Sequence, residues 1–228
     1  MGSKAKLLEF ISNSINEVIG SYSSFVDIFS GTGVVGNYFN NTNTKVISND
    51  LLYSNYITNY AFLSHESFNY NKIDCCINEF NNIKGKENYF SKHFGDKFFS
   101  KDTAKKIGTI RENIEKLYKK NEINFRERAI LITSLIYASD KIANTCGHYD
   151  AYRENIDLKD DIFLKHLDIF HDKNSNNEIY NTDSNILFEQ LNYNVDIVYA
   201  DPPYNSRQYS SLYHLVENLA RWKKPDVE

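Results

Sequence analysis

Three of the nine glycines stand together in Ser30-Gly31-Thr32-Gly33-Val34-Val35-Gly36, directly after a β-branched and aromatic run. Residues 24–29 (Ser-Phe-Val-Asp-Ile-Phe) read as a strand, and a helix is expected from about Val34. A second apolar run, residues 44–48, ends at Asn49-Asp50, and residues 51–64 carry helical spacing. Strand, glycine turn, helix, strand, acid and helix in that order describe half of a doubly wound α/β sheet. In such a loop glycine lets the backbone approach a ligand, and the acid closing the next strand accepts from ribose hydroxyls. Taken alone the loop suits NAD, FAD or S-adenosylmethionine, all of which carry adenosine. Phe29 before the first glycine, with Asp27 two residues earlier, fits the F-x-G-x-G form associated with the methyl donor. An NAD enzyme would continue with more strand–helix units after Asp50, where this chain has a long insertion.

The second constraint is Asp201-Pro202-Pro203-Tyr204, which holds two of only three prolines. Residues 195–200 (Val-Asp-Ile-Val-Tyr-Ala) are too short for a helix and read as a buried strand. An acid at the carboxyl end of such a strand lies where open α/β sheets bind ligands. Each proline fixes its own φ and removes a donor, so the loop is stiff and its carbonyls are free to accept. A carboxylate, a row of acceptors and the flat face of Tyr204 suit a planar group bearing an amine.

Between these landmarks the alternation breaks. Residues 67 to about 177 show an aromatic and basic loop region (Tyr89, Phe90, His93, Phe94, Phe98, Phe99), then two strong helices. One runs from Asp102-Thr103 past Lys119, the other over residues 125–143. This segment is expected to form an inserted, mainly helical lobe. The strand–helix order resumes at residues 179–183, with a helix over 186–191, the 195–200 strand and a last helix over 206–222. A first helix is expected over residues 6–19. The domains expected are therefore 1–66 with 178–228, and the lobe 67–177.

Composition excludes several classes. With 41% hydrophobic and 25% charged residues the chain is an ordinary globular sequence. It has no long apolar run of signal or membrane-spanning length, so a cytoplasmic, bacterial protein without a membrane role is expected. Cys75, Cys76 and Cys146 form no C-x-x-C pair, and neither a disulfide frame nor a metal site is expected. His166 and His171 read as surface or packing residues. Net charge is −4, but between Lys84 and Arg128 thirteen Lys and Arg face seven Asp and Glu. That local +6 suits a phosphate-facing lobe, and equally a solvated helical face.

The ordered set Asp27-x-Phe29-Ser30-Gly31-Thr32-Gly33, Asn49-Asp50, Asp183 and Asp201-Pro202-Pro203-Tyr204 resembles the amino-methyltransferases of DNA. More narrowly it is similar to the Dam/DpnII-like class of adenine methylases, whose recognition lobe lies between the glycine loop and DPPY. Asp201 through Tyr209 and Glu217-Asn218-Leu219-Ala220-Arg221-Trp222 resemble the FokI-type methylase branch. The resemblance implies a Rossmann-like S-adenosylmethionine-dependent methyltransferase fold that modifies double-stranded DNA within a restriction-modification system. It implies that Lys4, Asp27, Phe29, Gly31, Gly33, Asp50 and Asp183 bind S-adenosylmethionine. Asp201, Pro202 and Tyr204 would be catalytic, with Pro203, Tyr204 and Arg207 against the flipped adenine. Lys105, Lys106, Arg111, Lys119 and Lys120 are candidate phosphate contacts, and His148, Tyr152, Arg153 and Arg207 candidate base readers.

Only 24 residues follow Tyr204. The expected sheet is therefore incomplete, with the 195–200 strand as an exposed apolar edge. Weak or absent activity in isolation is expected unless a second chain or a further C-terminal segment covers that edge. Two readings compete with the enzyme: a truncated or split methylase part that binds DNA or cofactor without turnover, and an NAD-dependent oxidoreductase supported by the glycine loop alone.

Overall fold

The computed structural model describes residues 4–145, 149, 151–154, 158, 161–169, 175–202 and 212–225. In chain order the elements are a 3-10 turn (Lys4–Leu7), α1 (Leu8–Val18), β1 (Ser24–Asp27), α2 (Val34–Phe39), β2 (Lys45–Asn49), α3 (Tyr53–Leu63) and α4 (Tyr70–Asn82). There follow α5 (Tyr89–Phe94), α6 (Lys101–Lys119), α7 (Phe125–Ile142), β3 (Glu178–Tyr180), α8 (Ser184–Gln190), β4 (Ile197–Tyr199) and α9 (His214–Arg221). Packing divides them into two compact units, Met1–Ser67 with Ile169–Asn205 and Phe68–Asp168 with Ser206–Glu228.

The first unit is an α/β layer structure around a parallel sheet of order β3-β2-β1-β4. Strand β1 has a neighbour on both edges and all four of its residues are buried. Its side chains alternate as strand geometry requires. Phe25, level with Val46 and Ile197, joins Val35 and Phe39 on one face, against which Leu8, Ile11, Ile15 and Ile19 of the first helical segment pack. Phe25 and Phe39 stack with centroids 4.4 Å apart. Val26 turns to the other face with Ile28, Ile47 and Leu187 of α8. The expected α/β class and all four expected strands are present, each within two or three residues of its expected bounds.

Strand β4 is an edge of this sheet, and Val198 is 46% exposed. It is pinned at its start by Asp196, whose Oδ2 accepts from Ser23 N (2.8 Å), Ser23 Oγ, Ser24 N and Ser24 Oγ (each 2.9 Å). These bonds, led by the Ser23 amide, stabilise the ionised form and pull the carboxyl down to about 2.

The second unit is helical, and here the expected loop over residues 89–99 is corrected. Residues Tyr89–Phe94 form α5, opened by a capping box in which Asn88 accepts from Ser91 N and Ser91 Oγ accepts from Asn88 N. Phe90, Phe94, Phe98 and Phe99 are buried, with successive rings 4.7–6.3 Å apart. The aromatic run is thus core. Helix α4, not among the expected elements, is capped by Asn69 and buries Ile73, Cys76, Ile77 and Phe80. A second capping box, Asn124 with Glu127, opens α7. Helix α9 also packs in this unit, burying Leu215, Val216, Leu219 and Ala220. The expected range 178–228 grouped it instead with the sheet. No described helix is long and apolar enough to cross a membrane.

Asp196 generates a stability prediction. Its folded pKa lies below the usual 3.8, so the stability it contributes is present above about 3.8 and lost as pH falls towards 2. Asp196→Asn should lower the urea midpoint at neutral pH and flatten the loss of stability between about pH 4 and pH 2. Equal acid-unfolding profiles for the two proteins would remove Asp196 as the pin of β4.

Candidate active site

Because all four strands run parallel, their carboxyl ends lie on one edge of the sheet. From β1 the chain moves first to β2 on one side and later to β4 on the other. The crevice at such a reversal, outside the β1 and β4 ends, is where open α/β sheets take ligands. The loops leaving those ends carry Phe29, Gly31 and Gly33 after β1, Asp50 after β2, Asp183 after β3 and Asp201 after β4.

The glycine loop is held by side chains that stand in for backbone partners. Gly31 and Gly33 have φ of +53° and +77°, the left-handed region that favours glycine. Gly33 N closes a turn on Ser30 O (2.8 Å). Asn59 of α3, only 1% exposed, donates from Nδ2 to Gly31 O (2.9 Å), Ser30 Oγ (3.1 Å) and Asn55 O (2.8 Å), and accepts from Ser48 Oγ (2.8 Å). A Cβ on Gly33 would lie 2.3 Å from Asn59 Oδ1, so a larger residue there would have to displace this amide from its bonds. Asp50 accepts from Gly31 N at Oδ2 (2.8 Å) and from Leu52 N at Oδ1 (2.9 Å). The acid expected at a ribose thus also ties the loop to β2. Asn49 donates to Ile28 O (3.2 Å) and Thr182 O (3.1 Å) and accepts from Thr182 N (3.1 Å), lacing three strand ends together. Asn59 is not among the expected site residues, because its bonds are to residues that only the fold brings beside α3.

Asp27 is the most perturbed group of the site. It is 1% exposed, and among the described residues neither carboxylate oxygen has a hydrogen-bond partner of good geometry. Burial pushes it up from 3.8 to about 7; the nearby Gly36 amide offsets part of this, Asp50 and Asp201 add to it, and Lys4 opposes it. Phe29 is half-buried against the α8 face. Asp183 is exposed and caps α8, accepting from Asn185 N (2.8 Å) and Nδ2 (3.0 Å).

Lys4 forms an ion pair with Asp201, each side chain about one-third exposed. This bond, with a smaller contribution from Tyr199, raises the lysine pKa. The lysine expected at a cofactor carboxylate therefore rests on the first residue of the DPPY motif. Pro202 is exposed. Pro203, Tyr204, Arg207 and His148 lie outside the described residues, as do Cys146 and His171.

In the helical unit several expected phosphate contacts are corrected. Arg111 is fully buried and bonded inside the unit. Lys105 pairs with Asp102 (3.1 Å) and Glu87 (3.5 Å), Lys106 with Asp161 (2.9 Å) and Lys120 with Glu122 (3.6 Å). Lys119 is exposed. Lys84, Lys86 and Lys116, by contrast, line an open cleft of about 580 Å³ and form no ion pair with any described residue. Tyr152 lies edge-on to Phe98 (5.4 Å), and the Arg153 backbone is held by Asn144 through Nδ2 to Arg153 O (2.8 Å).

A buried carboxyl whose pKa is raised favours the folded state while protonated. Its contribution is complete below about 3.8 and is lost as pH rises through about 7. Asp27→Asn should therefore match the unaltered protein in denaturant midpoint near pH 4 and exceed it near pH 8. A constant offset at both pH values would refute the assignment of a protonated Asp27.

Comparison with known proteins bears on this site. The sequence pattern of the D12 class N6 adenine-specific DNA methyltransferase family matches residues 1–228. Modification methylase StsI of Streptococcus sanguinis is 34% identical over 253 residues, covering 100% of this chain and 37% of its own length. Type II methyltransferase M.NlaIII of Neisseria lactamica is 30% identical over 233 residues, covering 96% and 68%. Type II methyltransferase M.FokI of Planomicrobium okeanokoites is 34% identical over 245 residues, covering 100% and 37%. The chain thus spans little more than a third of the StsI and FokI methylases. No solved structure matches it.

Proposed function

The chain belongs to the D12 class of N6 adenine-specific DNA methyltransferases, and on that premise we propose that it methylates the exocyclic amine of an adenine flipped out of duplex DNA, as part of a type II restriction-modification system. The observation that carries this reading is that a left-handed glycine loop and the Asp201 carboxylate follow the carboxyl ends of the neighbouring parallel strands β1 and β4.

The residues present fit S-adenosylmethionine. The backbone at Gly31 and Gly33 has no side chain to obstruct a ligand, and Asp27 presents a buried carboxyl with no hydrogen-bond partner of good geometry among the described residues. Asp50, which already ties the glycine loop to β2, would accept from ribose hydroxyls. Phe29 would contribute an apolar wall and Asp183 an acceptor at the cofactor's adenine. When bound, S-adenosylmethionine supplies an electrophilic methyl group.

The chain's own residues would supply the rest. The adenine amine is a poor nucleophile because its lone pair is delocalised into the ring. Asp201 and the Pro202 carbonyl would accept its two N–H bonds, localising the lone pair on nitrogen and stabilising the positive charge that develops there. Both are acceptors fixed in advance of the reaction, which is electrostatic preorganisation. Tyr204 would stack on the flipped base, beside Pro203 and Arg207. Lys4 pairs with the Asp201 carboxylate and would offer a positive charge to a carboxylate-bearing ligand. The helical unit would carry the duplex, with Lys84, Lys86, Lys116 and Lys119 among the cations available for phosphates.

Calorimetric titration of S-adenosylmethionine into the purified chain tests the pocket. Asp50→Ala should abolish the binding heat. Asp201→Ala should keep it while lowering methyl transfer to DNA by about 100- to 1,000-fold. A well-folded chain that binds no S-adenosylmethionine would refute the reading. The DNA surface has its own test: replacing Lys84, Lys86 and Lys116 with alanine should weaken DNA binding and reduce the slope of log K against log salt by about 0.9 for each phosphate no longer neutralised. An unchanged slope would place the DNA on another face.

A further inference from the structure

Lys97 and Arg153, both in the helical unit, are exposed cations that form no ion pair with any described residue. Neither pairs with the acid beside it in sequence, Asp96 or Glu154. Lys97 stands in a tight turn, with Gly95 bridged to Phe99, Asp96 at a φ of +58° and Asp96 N donating to Phe99 O (2.8 Å). The buried Asn144, two residues past α7, ties this turn to Arg153. Its Nδ2 donates to Lys97 O (3.0 Å) and Arg153 O (2.8 Å), and its Oδ1 accepts from Arg153 N (3.2 Å). Its own backbone N donates to Phe98 O (2.9 Å).

One side chain therefore fixes the backbone of Arg153 at both its N–H and its carbonyl, and holds the Lys97 carbonyl by the same nitrogen. Tyr152, next to Arg153, lies edge-on to the buried Phe98 ring at 5.4 Å and is 38% exposed. Asn144 thus gathers two unpaired cations and a partly covered ring into one patch. A cation that meets only phosphates needs no fixed backbone, because counterion release depends on charge rather than orientation. Contact with a base edge does depend on orientation. The planar fork of arginine must meet two acceptors at once, and freedom removed before binding adds to the contact. The commonest such contact places arginine on O6 and N7 of guanine in the major groove. Lysine is a point charge, suited to a phosphate.

We propose that Arg153 reads a guanine edge of the duplex, with Lys97 on a neighbouring phosphate, and that Asn144 is the residue that positions it. The inference rests on the methyltransferase reading above, which makes the partner double-stranded DNA, and adds where a base is read. The lysines of the cleft then supply affinity and Arg153 supplies selectivity, since phosphate contacts carry no sequence information.

Duplexes retained by the purified whole chain from a random-sequence pool give its base preference without any methyl transfer. Arg153→Ala should lose the preference for guanine at one position, with discrimination there falling between about fivefold and a hundredfold, and keep it elsewhere. Arg153→Lys preserves the charge and should lose the same position, with affinity for an unrelated duplex within about twofold of the unaltered chain. Lys97→Ala should weaken all duplexes alike and reduce the slope of log K against log salt by about 0.9. Asn144→Ala should blur the position that Arg153→Ala blurs, and both changes together should cost no more selectivity than Arg153→Ala alone. The arginine substitutions are on the surface, so they decide the matter if Asn144→Ala does not fold. Unchanged preference in both arginine variants, or a uniform loss across all sequences, would overturn the inference and leave the methyltransferase reading standing. DNA binding untouched by any of the three surface substitutions would give the patch to a protein partner and overturn it too. An unaltered chain that binds S-adenosylmethionine but retains no duplex preferentially would overturn this inference alone, whereas a folded chain that binds no S-adenosylmethionine would remove the methyltransferase reading beneath it.

Discussion

The site depends on the parallel pairing of β1 with a strand on each side. That pairing buries every residue of β1 and leaves its carboxyl end as the place where the chain can present polar groups. The consequence is visible in Asp27. The last residue of the most buried strand is an acid with no good donor among the described residues, and burial holds its proton on towards neutral pH. A group so placed makes the end of β1 sensitive to every charge around it, which is why Asp50, Asp201 and Lys4 all act on it.

Around this end the geometry is maintained by side-chain amides rather than by further backbone pairing. Left-handed glycines give the loop its shape but leave carbonyls and amides that no strand or helix satisfies. Asn59 and Asn49 supply both donors and acceptors, and each binds backbone from more than one element. An amide can do this because it carries two donors and an acceptor with two lone pairs on one rigid plane. The carboxylate of Asp50 completes the set on the other side of the loop.

The helical unit shows why charge counts mislead. Its excess of Lys and Arg is real, yet Arg111, Arg128, Lys105 and Lys106 are committed to internal carboxylates and carbonyls. Exposed ion pairs of this kind add little to stability, but they still remove a cation from the pool that meets a phosphate. What remains includes the lysines around the open cleft and the exposed Lys92, Lys97 and Lys119. The deeply buried Arg111 belongs to a different class, a structural cation whose bonds hold α9 to α6.

Much of this was legible from residues alone. The strand–glycine–helix–strand–acid order determined the α/β class, because glycine spacing and alternating burial are local properties read along the chain. The same holds for Asp201 and the two prolines, whose backbone restrictions do not depend on what packs nearby. Helix α4 was also readable, since Ile73, Cys76, Ile77 and Phe80 follow helical spacing. The run from Tyr89 to Phe99 was not, because aromatic residues among lysines fit a surface loop as well as a core until their packing is known. Which unit holds α9, which lysines remain unpaired, and that Lys4 meets Asp201 were decided only by tertiary structure. Each is a contact between residues far apart in sequence, and its energy depends on burial that no local pattern encodes.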